Sequence, residues 1–100
     1  MAKRVRIVTR DLIFRAKLRA VAHAAGAAVA GEGEDHDVAV IEAGSPDAEA
    51  QVRAGVDRGI AVLVFGSHVD PEALRAYRAL GARAVPNSRV ESTLLDLLTA

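Results

Sequence analysis

Few groups in this chain are suited to chemistry, and the densest lie in two stretches. Gly31-Glu-Gly-Glu-Asp-His-Asp37 packs four carboxylates and one imidazole into seven residues. Such donors suit a divalent cation, but metal sites draw ligands from several elements and keep an outer shell of partners, which one loop does not supply. Gly31-Glu-Gly33 is not a dinucleotide fingerprint either, because no helix follows it. The second stretch is Ser67-His-Val-Asp-Pro-Glu72. Ser67 beside His68 suggests a nucleophile and base, yet sequence neighbours point apart. No third group orients the imidazole, and the strained Gly-x-Ser-x-Gly turn is missing. His68, Asp70 and Glu72 form a second potential metal set, but Asp70 and Glu72 already fit a helix start. The expectation is no metal, no cofactor, no catalytic group and no enzyme activity.

The elements that would position these residues are clearest over 60–81. Ile60-Ala-Val-Leu-Val-Phe65 is unbroken apolar sequence, as in a strand covered on both faces of a parallel sheet. Gly66 and Ser67 end it. Asp70 is a good N-cap, Pro71 fits the first helical position, Leu74, Tyr77 and Leu80 follow at helical spacing, and Gly81 closes the helix. Before this unit, 5–9 reads as a strand. Residues 12–25 read as a helix capped by Asp11, with Ile13, Phe14, Leu18, Val21, Ala22 and Ala25 on its apolar stripe. Residues 27–30 are a weak strand and 31–37 a loop. Residues 38–41 form a buried strand. Ser45 and Pro46 open a helix running to about 58, with Ala48, Val52 and Val56 inward. Gly55 weakens that helix by roughly 1 kcal/mol relative to Ala, unless a close contact requires glycine. Residues 83–85 are a short strand, Asn87 and Ser88 a turn, and 90–99 a final helix.

This alternation predicts an α/β fold, a parallel sheet with helices on both faces, as one small domain over residues 1–100. Ligand sites in such sheets lie at the carboxyl ends of the strands. Asp11, Glu42, Ser67 and Asn87 are the polar residues there. One link is unusual. Adjacent parallel strands normally need a crossover of about 10–12 residues, and the link from Ala30 to Val38 is shorter. Either a helix is missing and a bare loop crosses the sheet, or 27–30 is not a parallel strand. A missing helix would uncover an apolar face, which predicts self-association or a protein partner.

Composition narrows the classes. Cysteine is absent, which excludes disulfides and thiolate chemistry. No apolar run reaches the ~18 residues of a membrane span, and no signal-peptide pattern opens the chain, so the expectation is a soluble cytoplasmic protein without membrane contact. Asn, Gln and Met occur once each; that fits a thermophile, and a GC-rich genome gives the same Ala and Arg bias. Net charge is zero but segregated: residues 1–20 carry seven bases against Asp11, and 32–49 carry seven acids and no base. A basic face could meet nucleic acid or an acidic partner, but the neutral whole argues against nucleic acid.

In Val5–Leu18, Val38–Pro46 and Ala61–Arg89 the chain resembles the receiver domain of two-component response regulators, a flavodoxin-like (βα)5 fold. The resemblance spans nearly the whole length, with the second helix shortened or missing. It implies a site where acids after the first strand hold Mg²⁺, an Asp ending the third strand accepts a phosphoryl group, and a Ser or Thr and a Lys bind it. Here only Asp11 remains of the first-strand acids, and Arg10 lies beside it. Glu42 stands at the phosphoacceptor position, Ser67 loosely matches the hydroxyl, and Asn87 replaces the Lys. A Glu side chain is one methylene longer, and misplacing a nucleophile by ~1 Å can cost about 10²-fold. Glu42 is then either a mimic of a phosphorylated Asp or a plain strand-end carboxylate, solvated or paired with Arg10. The resemblance therefore implies a non-catalytic pseudo-receiver acting in signalling through a protein partner or as a homodimer. Arg75, Arg78, Arg83 and Arg89 are the polar candidates for its partner surface. The alternatives are a small-ligand domain using the strand-end crevice and a divergent phosphoacceptor.

Overall fold

The computed structural model describes residues 2–66 and 71–100. Five parallel strands form one sheet in the order β2-β1-β3-β4-β5. They are β1 (Arg4–Val8), β2 (Ala28–Ala30), β3 (Val38–Glu42), β4 (Ala61–Gly66) and β5 (Arg83–Pro86). Four helices connect or follow them: α1 (Leu12–Ala24), α2 (Ala48–Asp57), α3 (Pro71–Ala79) and α4 (Asn87–Thr99). The expected α/β class is therefore observed, and the strand order reverses between β1 and β3.

Each face of the sheet carries its own core. Val5, Ile7, Val38, Val40, Leu63 and Phe65 meet Leu18 and Ala22 of α1 and Val90, Leu94 and Leu98 of α4. On the other face Ala39, Ile41, Val62, Val64 and Ala84 meet Ala48 and Val52 of α2, with Leu74 and Tyr77 of α3 at the margin. The alternation along β3 and β4 supplies both cores, as an apolar run with no polar break requires. Ile13 departs from the expected inward stripe: it is 68% exposed, and Leu12 77%. Leu18 sets the buried line of α1, and Ile13 lies five residues before it, roughly 140° around the helix.

Residues 27–30 do contribute a parallel strand, so the helix-free crossing is the alternative that holds. Ala30 pairs with Arg6, and on the far side of β1 Val38 pairs with Val5. The chain must travel two strand spacings, roughly 10 Å, and step back about one residue. Seven residues reach about 23 Å when extended, so no helix is needed because β2 ends after three residues.

The face beneath this loop is not the apolar surface expected. Arg4 and Arg6 point there, alternating with the inward Val5 and Ile7. The acidic loop folds back onto them. Arg4 pairs with Glu34 at 2.9 Å, the Arg4 amide donates to Asp37 Oδ2 at 2.8 Å, and Arg58 of α2 lies 3.6 Å from Asp35. The charge segregation of the sequence is thus in part an internal pairing. The Gly31 amide donates to Glu34 and the Arg4 guanidinium lies beside it, and together they hold the Glu34 carboxyl below its ordinary value of 4.5. A lowered folded value means stability that is present above pH 4.5 and lost as pH falls through the folded value. Both side chains are exposed, so the effect is small. Denaturant titrations should find wild type more stable than Glu34→Gln at pH 7, with the difference closing as pH falls below 4.5.

Candidate functional site

The carboxyl ends of β1 and β3 lie side by side, with Val8 paired to Ile41. Thr9 follows β1 and is only 3% exposed. Its hydroxyl donates to Glu42 Oε1 at 3.1 Å and accepts from the Asp11 amide, also at 3.1 Å. Arg15 of α1 donates to the Thr9 carbonyl at 2.5 Å. The turn after Glu42 is closed by Ser45, whose hydroxyl donates to the Glu42 carbonyl at 2.5 Å. Asp47 then takes a left-handed φ of 58° before α2 begins at Ala48, two residues later than Pro46 suggested. Tyr77 of α3 donates to the Ala43 carbonyl at 3.3 Å, tying that helix to the same turn.

The four expected crevice residues do not all converge. Asp11 is exposed, and its Oδ1 accepts from the amides of Ile13 and Phe14 at 2.9 and 3.1 Å. It is the N-cap of α1, a role in which one side-chain oxygen satisfies helix donors that have no other partner. Glu42 bonds to Thr9, not to Arg10, which makes no ion pair among the described residues. Ser67 lies outside the described residues, as do His68 and Asp70. Asn87 is not in a turn: β5 runs through Pro86 directly into α4, and Asn87 is its first residue. Among the described residues its Oδ1 is buried without a hydrogen-bond partner.

Thr9 is the residue that sequence reasoning missed. It is the bridge between Asp11 and Glu42, and its position directly after a strand was the available signal. Replacing it with Val removes both hydrogen bonds at nearly constant shape. The expected loss is about 1 kcal/mol, from a part-buried amide and a half-buried carboxylate left short of a partner. Chemical denaturation of Thr9→Val checks this.

This donor set does not fit Mg²⁺. The ion takes several oxygens in octahedral geometry. Here Asp11 is committed to the helix cap, Thr9 and Arg10 occupy the first strand end, and Glu42 is held by the Thr9 hydroxyl. Among the described residues no group of three acids or imidazoles converges. In the loop at 31–37, His36 Nδ1 lies 3.0 Å from the Glu34 carbonyl, and Asp35 and Asp37 have the partners given above.

At the far edge of the sheet, three of the four expected partner-surface arginines meet. Arg78, Arg83 and Arg89 line an open groove of about 480 Å³ along β5, with Thr93 and Asp96 of α4 opposite. Arg78 also donates to the Ala84 carbonyl at 2.8 Å, fixing α3 to the edge strand. Arg75 is exposed but does not line the groove.

Several solved structures share this architecture. The beryllofluoride-activated receiver domain of DrrB superposes with a TM-score of 0.82 over 97% of this chain and 94% of its own, at 17% identity. The fold is that of a response-regulator receiver domain. A CheY-like receiver protein from Methanospirillum hungatei gives 0.80 at 16% identity over 97% and 90% of the two chains. A response regulator from Thermotoga maritima gives 0.79 at 14% identity over 97% and 94%. No protein-family model matches the sequence, and no curated protein is significantly similar to it. At these identities the receiver likeness is one of fold. Among the described residues no helix is long and apolar enough to cross a membrane.

Proposed function

We propose that residues 1–100 act as a non-catalytic receiver-like module that works through protein contacts, in a cytoplasmic signalling or regulatory setting. The observation that carries this reading is the fate of Asp11. The one acid available near the first strand end caps α1, which leaves Glu42 held by a threonine hydroxyl in place of a metal-binding acid pair. Two further features support contact with a protein. Leu12 and Ile13 are exposed side by side at the start of α1, and an arginine-lined groove runs along the β5 edge. The proposed assembly is a homodimer or a complex through that edge, where α3, β5 and α4 meet.

Two measurements test this. Amide resonances of Thr9, Asp11 and Glu42 should stay in place when Mg²⁺ and beryllofluoride are added, and acetyl phosphate should give no mass gain. A Mg²⁺-dependent adduct that disappears in Glu42→Gln would restore the phosphoacceptor reading. Sedimentation should show a dimer that Arg83→Glu converts to monomer; a wild-type monomer removes the homodimer and leaves a heterologous partner.

A second reading has its own observation. Asn87 Oδ1, without a partner among the described residues, is an acceptor that a small polar ligand could satisfy. A thermal-shift screen against metabolites, repeated with Asn87→Ala, decides between the two.

A further inference from the structure

We propose that the open pocket at the carboxyl ends of β1 and β2 binds a small phosphate-bearing anion through Arg6, Arg15 and Arg19. The pocket measures about 450 Å³ and is walled by these three arginines, by Val29 and Gly31 at the end of β2, and by Glu32. It lies beside the Thr9–Glu42 pair but is lined by neither residue, and it does not depend on the protein-contact reading.

Three observations carry the assignment. Arg15 and Arg19 stand four residues apart on α1, so they share one face and repel each other. Arg6 joins them from β1, half-buried on the strand. Three arginines therefore line one pocket that holds a single carboxylate. Second, the side chains of Arg6 and Arg19 make no ion pair or hydrogen bond among the described residues. The acids nearest in sequence are used elsewhere: Glu34 on Arg4, Asp35 on Arg58, and Asp37 on the Arg4 amide. Arg15 donates to the Thr9 carbonyl, which fixes its guanidinium and leaves its other donors available. Third, the pocket opens at the carboxyl ends of parallel strands, where open α/β sheets bind ligands, and here only the helix-free loop follows β2.

The planar guanidinium fork matches phosphate oxygens two at a time, which a lone ammonium cannot do. A small anion fits better than a nucleic-acid strand. Glu32 in the pocket wall repels an extended polyanion, and the chain has no net positive charge to offset it. Glu32 is exposed on the loop after β2 and acts as the electrostatic competitor of the ligand.

The test is an NMR titration of amide and arginine Nε–H resonances with inorganic phosphate, at ionic strength held constant with sodium chloride. The expected result is saturable shifts at Arg6, Arg15, Arg19 and Gly31. Arg19→Gln, an exposed position whose loss leaves the core intact, should weaken binding about tenfold, Arg19→Lys less, and Glu32→Gln should tighten it. A parallel titration with a nucleoside monophosphate separates a free-phosphate site from an ester site; saturation by either supports the proposal. Shifts that grow linearly without saturating overturn it. So does an unchanged affinity in Arg19→Gln, or binding of a single-stranded oligonucleotide where neither small anion binds.

Discussion

Phe65→Ala will lower the stability of the fold by about 3–5 kcal/mol. Phe65 is 0% exposed, near the end of β4, and is among the largest fully buried side chains. Its ring stacks at a tilt on Phe14 of α1, with centroids 5.3 Å apart, so the two aromatics join the central strand to the first helix. The rest of this core is mainly aliphatic, with Leu18, Leu63 and Leu94 fully buried around the ring. Domains of this size have about 5–15 kcal/mol in total, so the variant should be partly unfolded at 37 °C. The effect also reaches the site. Phe65 is paired with Glu42 across the β3–β4 ladder, and its carbonyl accepts from the Ala43 amide at 2.7 Å. Urea denaturation measures the loss; a change under about 1 kcal/mol would mean that the Phe14–Phe65 contact is not a keystone of the core.

Gly55→Ala will also destabilise, against the direction that helix propensity gives. In an exposed helix interior this change gains about 1 kcal/mol. Here Gly55 is buried against β4, and a Cβ built on it would lie 2.8 Å from Val62 Cγ2. Val62 cannot yield cheaply: it is buried in the second core, and a β-branched side chain on a strand has few rotamers to choose from. The helix must move outward instead. Overpacking of this kind costs up to about 3 kcal/mol, so the net loss is about 2 kcal/mol after the gain in propensity is subtracted. A thermal melt of Gly55→Ala checks the sign, and a higher melting temperature would show that α2 shifts freely. The close approach matters for the site because α2 leaves the turn that begins at Glu42.

Glu42 and Asp11 follow neighbouring strand ends but do not converge. Each residue sits at a strand end where the sheet presents it. What changes the chemistry is the local competition for hydrogen bonds. A carboxylate at the start of a helix, with two unpaired amides within reach, is used there. The hydroxyl of Thr9, itself buried, then becomes a donor for the half-buried Glu42.

The sequence alone determined the alternation of strands and helices, the two-faced apolar runs of β3 and β4, and the glycines that close α1, α2 and α3. These are local: hydrophobic period and left-handed glycine geometry act within a few residues, and Gly26, Gly59 and Gly81 all take positive φ. It also raised the question of the missing helix and of Gly55. Only the tertiary structure answered them. The loop at 31–37 can cross because Ala30 and Val38 fall one residue apart in register, a relation set by pairing to β1 and not by either segment. Gly55 is required by Val62, seven residues away in sequence but on a different layer. The same holds for the charges. Arg4, Arg6 and the acidic loop are merely a basic and an acidic tract in the chain, and it is the fold that pairs Arg4 with Glu34 and leaves Arg6 with Arg15 and Arg19 around one pocket. Periodicity specifies which way a side chain faces; which partner it meets depends on strand order and register, and those are settled by contacts between residues far apart in the chain.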